Sequence, residues 1–257
     1  MWNAEIYEQY GKERIQPSID LVNRIRERRC ERILDVGCGT GMSTAALYAA
    51  WKEAEIIGVD LSGEMLQKAR EVMPFVSFYQ RDCSQSLTDM GKFDLIFSNA
   101  FLQWIPNQEE FIQQSFAMLK EEGVFATQVP LFEEMPANEC INEAADLFQA
   151  ELKHADCAKY LMHTTLEYYD MLSACTNQTS MWVTDYCHEM ESHEKILEFL
   201  KGAALRPYME ILRGEELEAF MNQVLENMKK AYPVQKNGKV IFPFRRLFMV
   251  GEKKRTK

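Results

Sequence analysis

The sequence predicts an α/β fold: a doubly wound, mostly parallel sheet of seven strands with an added helical lid. Three observations lead there. An apolar run, Ile33-Leu34-Asp35-Val36, breaks into alternating glycines, Gly37, Gly39 and Gly41, just before a helix-like stretch, as a strand does when it turns tightly under a ligand. Short apolar runs then alternate with helical patterns up to residue 130, the signature of βα units. Finally, the runs end on polar groups: Asp60, then Arg81-Asp82-Cys83, then Ser98-Asn99. In open α/β sheets such strand ends converge on one ligand crevice.

In order along the chain, a polar arm, residues 1–16, precedes a helix opened by Pro17 with Ile19, Leu21, Val22 and Ile25 on its apolar face. The core spans residues 17–130. Its helices are expected over Met42 to Trp51, Gly63 to Val72 and Glu109 to Leu119; its later strands over Ile56 to Val59, Phe75 to Tyr79, Phe93 to Phe97 and Gly123 to Val129. After Pro130 helical patterns dominate 138–175, 192–204 and 214–231. This surplus, within residues 131–178 and 191–238, is expected to form a substrate lid. Met181 to Met190 reads as a strand, and Lys239 to Phe244 with Leu247 to Val250 as the last, an edge pair within 179–190 and 239–251.

Composition narrows the function. The chain has 257 residues, 47% hydrophobic and 26% charged, with a net charge of −10, which disfavours a nucleic-acid partner because a phosphate backbone needs a basic face. The start lacks a signal-peptide pattern, and no apolar stretch is long enough to span a bilayer. A cytoplasmic protein without membrane or metal, monomeric or weakly dimeric, is expected. Seven scattered cysteines without Cys-x-x-Cys pairing point to reduced thiols.

The glycine loop differs from a dinucleotide fingerprint, since its last glycine follows the second by two residues rather than three. Asp35 would also repel a diphosphate and welcome a sulfonium or ammonium. Here the chain resembles the class I S-adenosylmethionine-dependent methyltransferases. Asp60, near the roughly 20-residue spacing of a ribose-binding carboxylate, is expected to accept both ribose hydroxyls. The resemblance implies that Asp82 takes the adenine amino group and the Cys83 amide its ring nitrogen. It also places Asn99 beside the methionine part and Arg14 on its carboxylate. Cys38, Leu61, Met65 and Trp104 complete the expected cofactor set, with S-adenosylhomocysteine as product.

Beyond the cofactor half, Trp2-Asn3, Tyr7, Gln103-Trp104, His188-Glu189-Met190, Leu205-Arg206-Pro207 and Arg246-Leu247-Phe248 resemble the trans-aconitate 2-methyltransferase family. That likeness implies methyl transfer to one carboxylate of a small polycarboxylic acid. Malonyl-acyl-carrier-protein O-methyltransferases are the alternative. A carboxylate is ionised at neutral pH and needs no general base, so no catalytic triad is expected. Arginines suit the acid because guanidinium grips carboxylate with two parallel hydrogen bonds. Arg206 leads, with Arg245 and Arg246, helped by Tyr208, Trp104, Gln103, His188 and Tyr7.

Overall fold

The computed structural model describes residues 11–152 and 161–254, the side chains of 11–14 and 150–151 excepted. Tyr7 and the side chain of Arg14 therefore lie outside the description. Helix α1 (Gly11–Ile25) opens six residues before Pro17, which sits inside it. The expected start at Pro17 is thus corrected. The proline ring removes one backbone N–H and not the amphipathic face on which Leu21, Val22 and Ile25 are buried.

The core elements follow in alternation: β1 (Arg32–Val36), α2 (Met42–Ala50), β2 (Glu55–Asp60), α3 (Gly63–Val72), β3 (Ser77–Gln80), β4 (Phe93–Asn99), α4 (Gln108–Met118) and β5 (Leu119–Pro130). Their starts are written locally. The Ser62 hydroxyl accepts from Met65 N at 3.3 Å to cap α3, and Asn107 Oδ1 accepts from Glu110 N at 3.2 Å to cap α4, each satisfying an orphan donor of the first turn. β1 and β4 are almost wholly buried, which explains why they read as continuous apolar runs rather than alternations. β1 pairs in parallel with β2 and β4, β2 with β3, and β4 with β5.

Further on come α5 (Pro136–Ala145), α6 (Thr165–Cys175), β6 (Thr179–Met190), α7 (His193–Lys201), α8 (Arg206–Ile211), α9 (Gly214–Ala231) and β7 (Val240–Glu252). A capping box of Thr164 and Glu167 starts α6. The sheet order is β3-β2-β1-β4-β5-β7-β6. β7 lies between β5 and β6, so the last two strands form the expected pair at one edge of the sheet, with β3 at the other. β7 also runs unbroken through Pro243. Glu252 N bonds to Gln178 O at one end and Lys239 pairs with Glu191 at the other, so β6 and β7 run antiparallel.

The chain divides into two compact bodies. Of the described residues, one comprises 12–129, 161–183 and 247–254; the other has 11, 130–152 and 184–246. In the first, Tyr168 of α6 is fully buried and its hydroxyl donates to Gln108 Oε1 at 2.8 Å, tying α6 to α4. The second body has its own core, in which Ile196, Leu200, Phe220, Val224, Met228 and Phe242 are buried. Phe220 packs edge-on to Phe148 at 5.8 Å and stacks on Tyr208 at 4.9 Å. Its replacement by Ala leaves a cavity the ring partners cannot fill. Phe220→Ala is expected to lower stability by about 3–5 kcal/mol, read from the urea midpoint.

Candidate active site

The glycine turn is built by backbone conformation. Gly37, Gly39 and Gly41 have φ of 71°, 54° and 87°, values that side-chain-bearing residues rarely adopt. Gly37 N and Cys38 N both donate to Val59 O, at 2.8 and 3.1 Å, so the turn hangs on β2. The three glycines do different things. A Cβ at Gly37 would lie 2.2 Å from the Phe101 ring, one at Gly41 would lie 3.3 Å from the Ala69 Cβ, and one at Gly39 would meet only the Met65 sulfur at 3.5 Å. Gly39 thus keeps the free approach that a ligand needs, and Met65 stands beside it.

Asp35 lies beneath this turn, fully buried. Its Oδ2 accepts from Ser43 Oγ at 2.8 Å and Thr44 Oγ1 at 2.6 Å, both in the first turn of α2, and Oδ1 has no partner. Burial raises its pKa to about 6, against the lowering effect of the two hydroxyls. A cation brought near would favour the ionised form. At the end of β2, Asp60 receives Gly39 N on Oδ2 at 2.9 Å and Ser62 N on Oδ1 at 2.8 Å. Each oxygen keeps a lone pair, so the carboxylate can still accept a diol while holding the loop in place.

At the end of β3, Asp82 is exposed, and hydrogen bonds from the Ser84 hydroxyl and amide (2.7 and 3.0 Å) lower its pKa. Leu61, which follows Asp60 at the end of β2, is 63% exposed. Cys38 and Cys83 are buried and burial pushes their thiols up, Cys83 to about 12, so neither is a thiolate nucleophile. At the end of β4, Asn99 Oδ1 accepts from Gln128 Nε2 at 2.8 Å. Ala100 then turns with φ of 52°, donating to Gln128 O at 3.0 Å, and Phe101 packs edge-on to Phe111 at 6.3 Å. Trp104 is half-buried in the short turn Leu102–Trp104.

In the second body, β7's period of two sends neighbouring arginines to opposite faces. Arg245 forks onto Asp185, at 2.8 and 2.9 Å, and reaches Glu134 at 3.3 Å. Arg246 is 5% exposed, with its guanidinium 4.7 Å from the Phe244 ring centre. His188 approaches the same ring at 6.3 Å and Phe199 at 5.8 Å. The structure thus brings Arg246 and His188 together around Phe244 and commits Arg245 elsewhere. Arg206 pairs with Glu210 at 2.9 Å in the first turn of α8, a helix the sequence did not reveal. Sequence reasoning also missed Ser43 and Thr44, although two hydroxyl residues in the first turn after a glycine loop are a readable signal. Phe101, Phe244 and Gln128 carried none.

A parallel sheet whose strand order switches at β1 and β4, with a glycine turn after β1, is the architecture of the class I methyltransferase fold. Comparison with known proteins agrees. A family model described as a methyltransferase domain matches residues 28–198. Trans-aconitate 2-methyltransferases of Escherichia coli O157:H7 and of Enterobacter sp. (strain 638) are 32% and 35% identical to this chain over 252 residues, covering 98% of each chain. Among solved structures, the YcgJ protein of Bacillus subtilis superposes with a TM-score of 0.63 at 17% identity, covering 93% of this chain and 99% of that one. The plantazolicin methyltransferase BpumL, in complex with SAH, gives 0.54 at 13% identity, over 98% and 90%.

The chain belongs to the trans-aconitate 2-methyltransferase family, and it is an S-adenosylmethionine-dependent methyltransferase. The residues fit that cofactor. Gly39 leaves room for close approach, Asp60 retains acceptor capacity, and Asp35 presents buried negative charge. Among the described residues no helix is long and apolar enough to cross a membrane, and no cluster could hold a metal.

Asp35 also sets a pH dependence. Its folded pKa of about 6 lies above the ordinary 3.8, so the folded chain binds more protons between these values. The stability it confers is present below pH 3.8 and is lost as pH rises through 6, a change on the order of 3 kcal/mol. Asp35→Asn, which keeps an acceptor for both hydroxyls, is expected to remove that slope from denaturation midpoints measured between pH 4 and 7.

Proposed function

We propose that this enzyme methylates one carboxylate of a small polycarboxylic acid, trans-aconitate or a close relative, to give a methyl ester. The observation that carries this reading is the likeness, over 98% of both chains, to proteins named trans-aconitate 2-methyltransferase. Arg246 and His188, gathered on Phe244, support it. A buried guanidinium on an aromatic ring is desolvated enough to favour an anionic guest strongly.

S-adenosylmethionine supplies the methyl group as an electrophilic carbon on cationic sulfur. Asp60 and Asp82 would hold its ribose and adenine, with Asp35 favouring its positive charge. Leu61, Met65, Cys38 and the Cys83 amide would line its nucleoside, and Asn99 and Trp104 its methionine end. The acceptor carboxylate arrives ionised, so no residue is asked to remove a proton. What the chain's residues contribute is orientation, which can supply on the order of 7–11 kcal/mol when both partners are held in line. Arg246 would grip the acid, and Arg206, Tyr208 and His188 would complete the grip.

Three outcomes test the proposal. A panel of di- and tricarboxylic acids, with a malonylated carrier protein included, should yield base-labile methyl ester from trans-aconitate and little from the carrier. The opposite preference would reassign the substrate. Asp60→Ala should weaken S-adenosylmethionine by at least ~1–3 kcal/mol in calorimetry. Arg246→Lys should lower kcat/KM for the acid by about 1–3 kcal/mol with cofactor affinity retained, whereas Arg245→Ala, already occupied by two carboxylates at the surface, should change it by less than about 1 kcal/mol.

A further inference from the structure

Gln103 is grouped by sequence with the acid-binding residues, but its surroundings suit a different ligand. The residue is 4% exposed. Its Nε2 donates to Ala100 O at 2.9 Å, and its backbone carbonyl accepts from Leu161 N at 3.1 Å. The first of these bonds fixes which end of the amide is which, because the flipped rotamer would set oxygen against oxygen. What remains is Oε1, buried and without a hydrogen-bond partner. Nε2 keeps one further N–H, yet the group in need is the oxygen. A carboxylate brought to it would meet repulsion; a donor would relieve the desolvation it now bears.

The position selects the donor. Gln103 is tied to Ala100, whose left-handed turn ends β4, and the next residue, Phe101, lies against Gly37 of the glycine turn. A methyl-donor nucleoside offers donors at two ends, an adenine amino group with ribose hydroxyls and an α-ammonium. Asp82 and Asp60, at the ends of β3 and β2, answer the first. We propose that Gln103 Oε1 accepts from the α-ammonium of the cofactor, which makes Gln103 a cofactor-binding residue rather than a substrate-binding one. This rests on the S-adenosylmethionine site assigned above. The neutral carbonyl complements Asp35: one offers a directed hydrogen bond, the other a buried field.

The test pairs a change in the protein with a change in the ligand. Wild type and Gln103→Met, an unbranched exchange of similar volume, are titrated by calorimetry with S-adenosylhomocysteine and with its deaminated analogue, which keeps the carboxylate and lacks only the ammonium. Gln103→Met should weaken S-adenosylhomocysteine at least about tenfold and the deaminated analogue by no more than about twofold. Gln103→Asn, which retains an amide but withdraws the oxygen, should behave like Gln103→Met and serves in its place if that variant does not fold. Equal losses for both ligands would assign the residue a structural role and overturn the proposal, as would unchanged affinity for S-adenosylhomocysteine. Wild type indifferent to both ligands would overturn the cofactor site itself, a result distinct from either.

Discussion

A fully buried carboxylate held by two hydroxyls is the interaction on which the strand-to-helix turn of this enzyme depends. Asp35 of β1 is bound by Ser43 and Thr44 of α2, so the strand, the glycine turn and the next helix form one piece. A buried carboxylate with an unpartnered oxygen costs stability unless charge or donors compensate. The folded chain bears that cost at the residue proposed above to favour the cofactor's positive charge. Strained or under-satisfied groups at a site of this kind are expected where function, rather than stability, sets the residue.

The turn is then fastened from the other side. Asp60 takes Gly39 N, and Val59 O takes the amides of Gly37 and Cys38. The same Asp60 that would hold the ribose therefore also sets the loop, so cofactor recognition and loop geometry are one constraint. At β4 a parallel arrangement recurs: Gln128 holds Asn99 through its side chain and Ala100 through its carbonyl, and the resulting turn aims Phe101 at Gly37. Loops carried on strand ends in this way are more rigid than free loops, and a site built on them holds its groups more closely in place.

In the second body the chemistry is sorted by strand periodicity. Arg245 and Arg246 are adjacent in sequence, yet one forks onto surface carboxylates and the other is buried on Phe244. The aromatic cluster of Tyr186, His188, Phe199, Phe242 and Phe244 gives the buried guanidinium a rigid, weakly polar seat. Lone histidines here have ordinary structural partners as well: His193 Nε2 lies 2.7 Å from Tyr232 O.

The sequence by itself determined the elements whose signals are local: the glycine turn, the apolar strands of the parallel sheet, the helices expected from Gly63 and from Glu109, and the acids at successive strand ends. Each is legible because backbone sterics, capping and burial on both faces leave marks within a few residues. Tertiary structure alone decided the rest. It carried β7 through Pro243 between β5 and β6, let α1 begin before Pro17, formed α8 around Arg206, and buried Gln103 Oε1 without a hydrogen-bond partner. Those outcomes depend on which groups far apart in the chain consume each other's hydrogen bonds and apolar surface, and no short-range pattern records that.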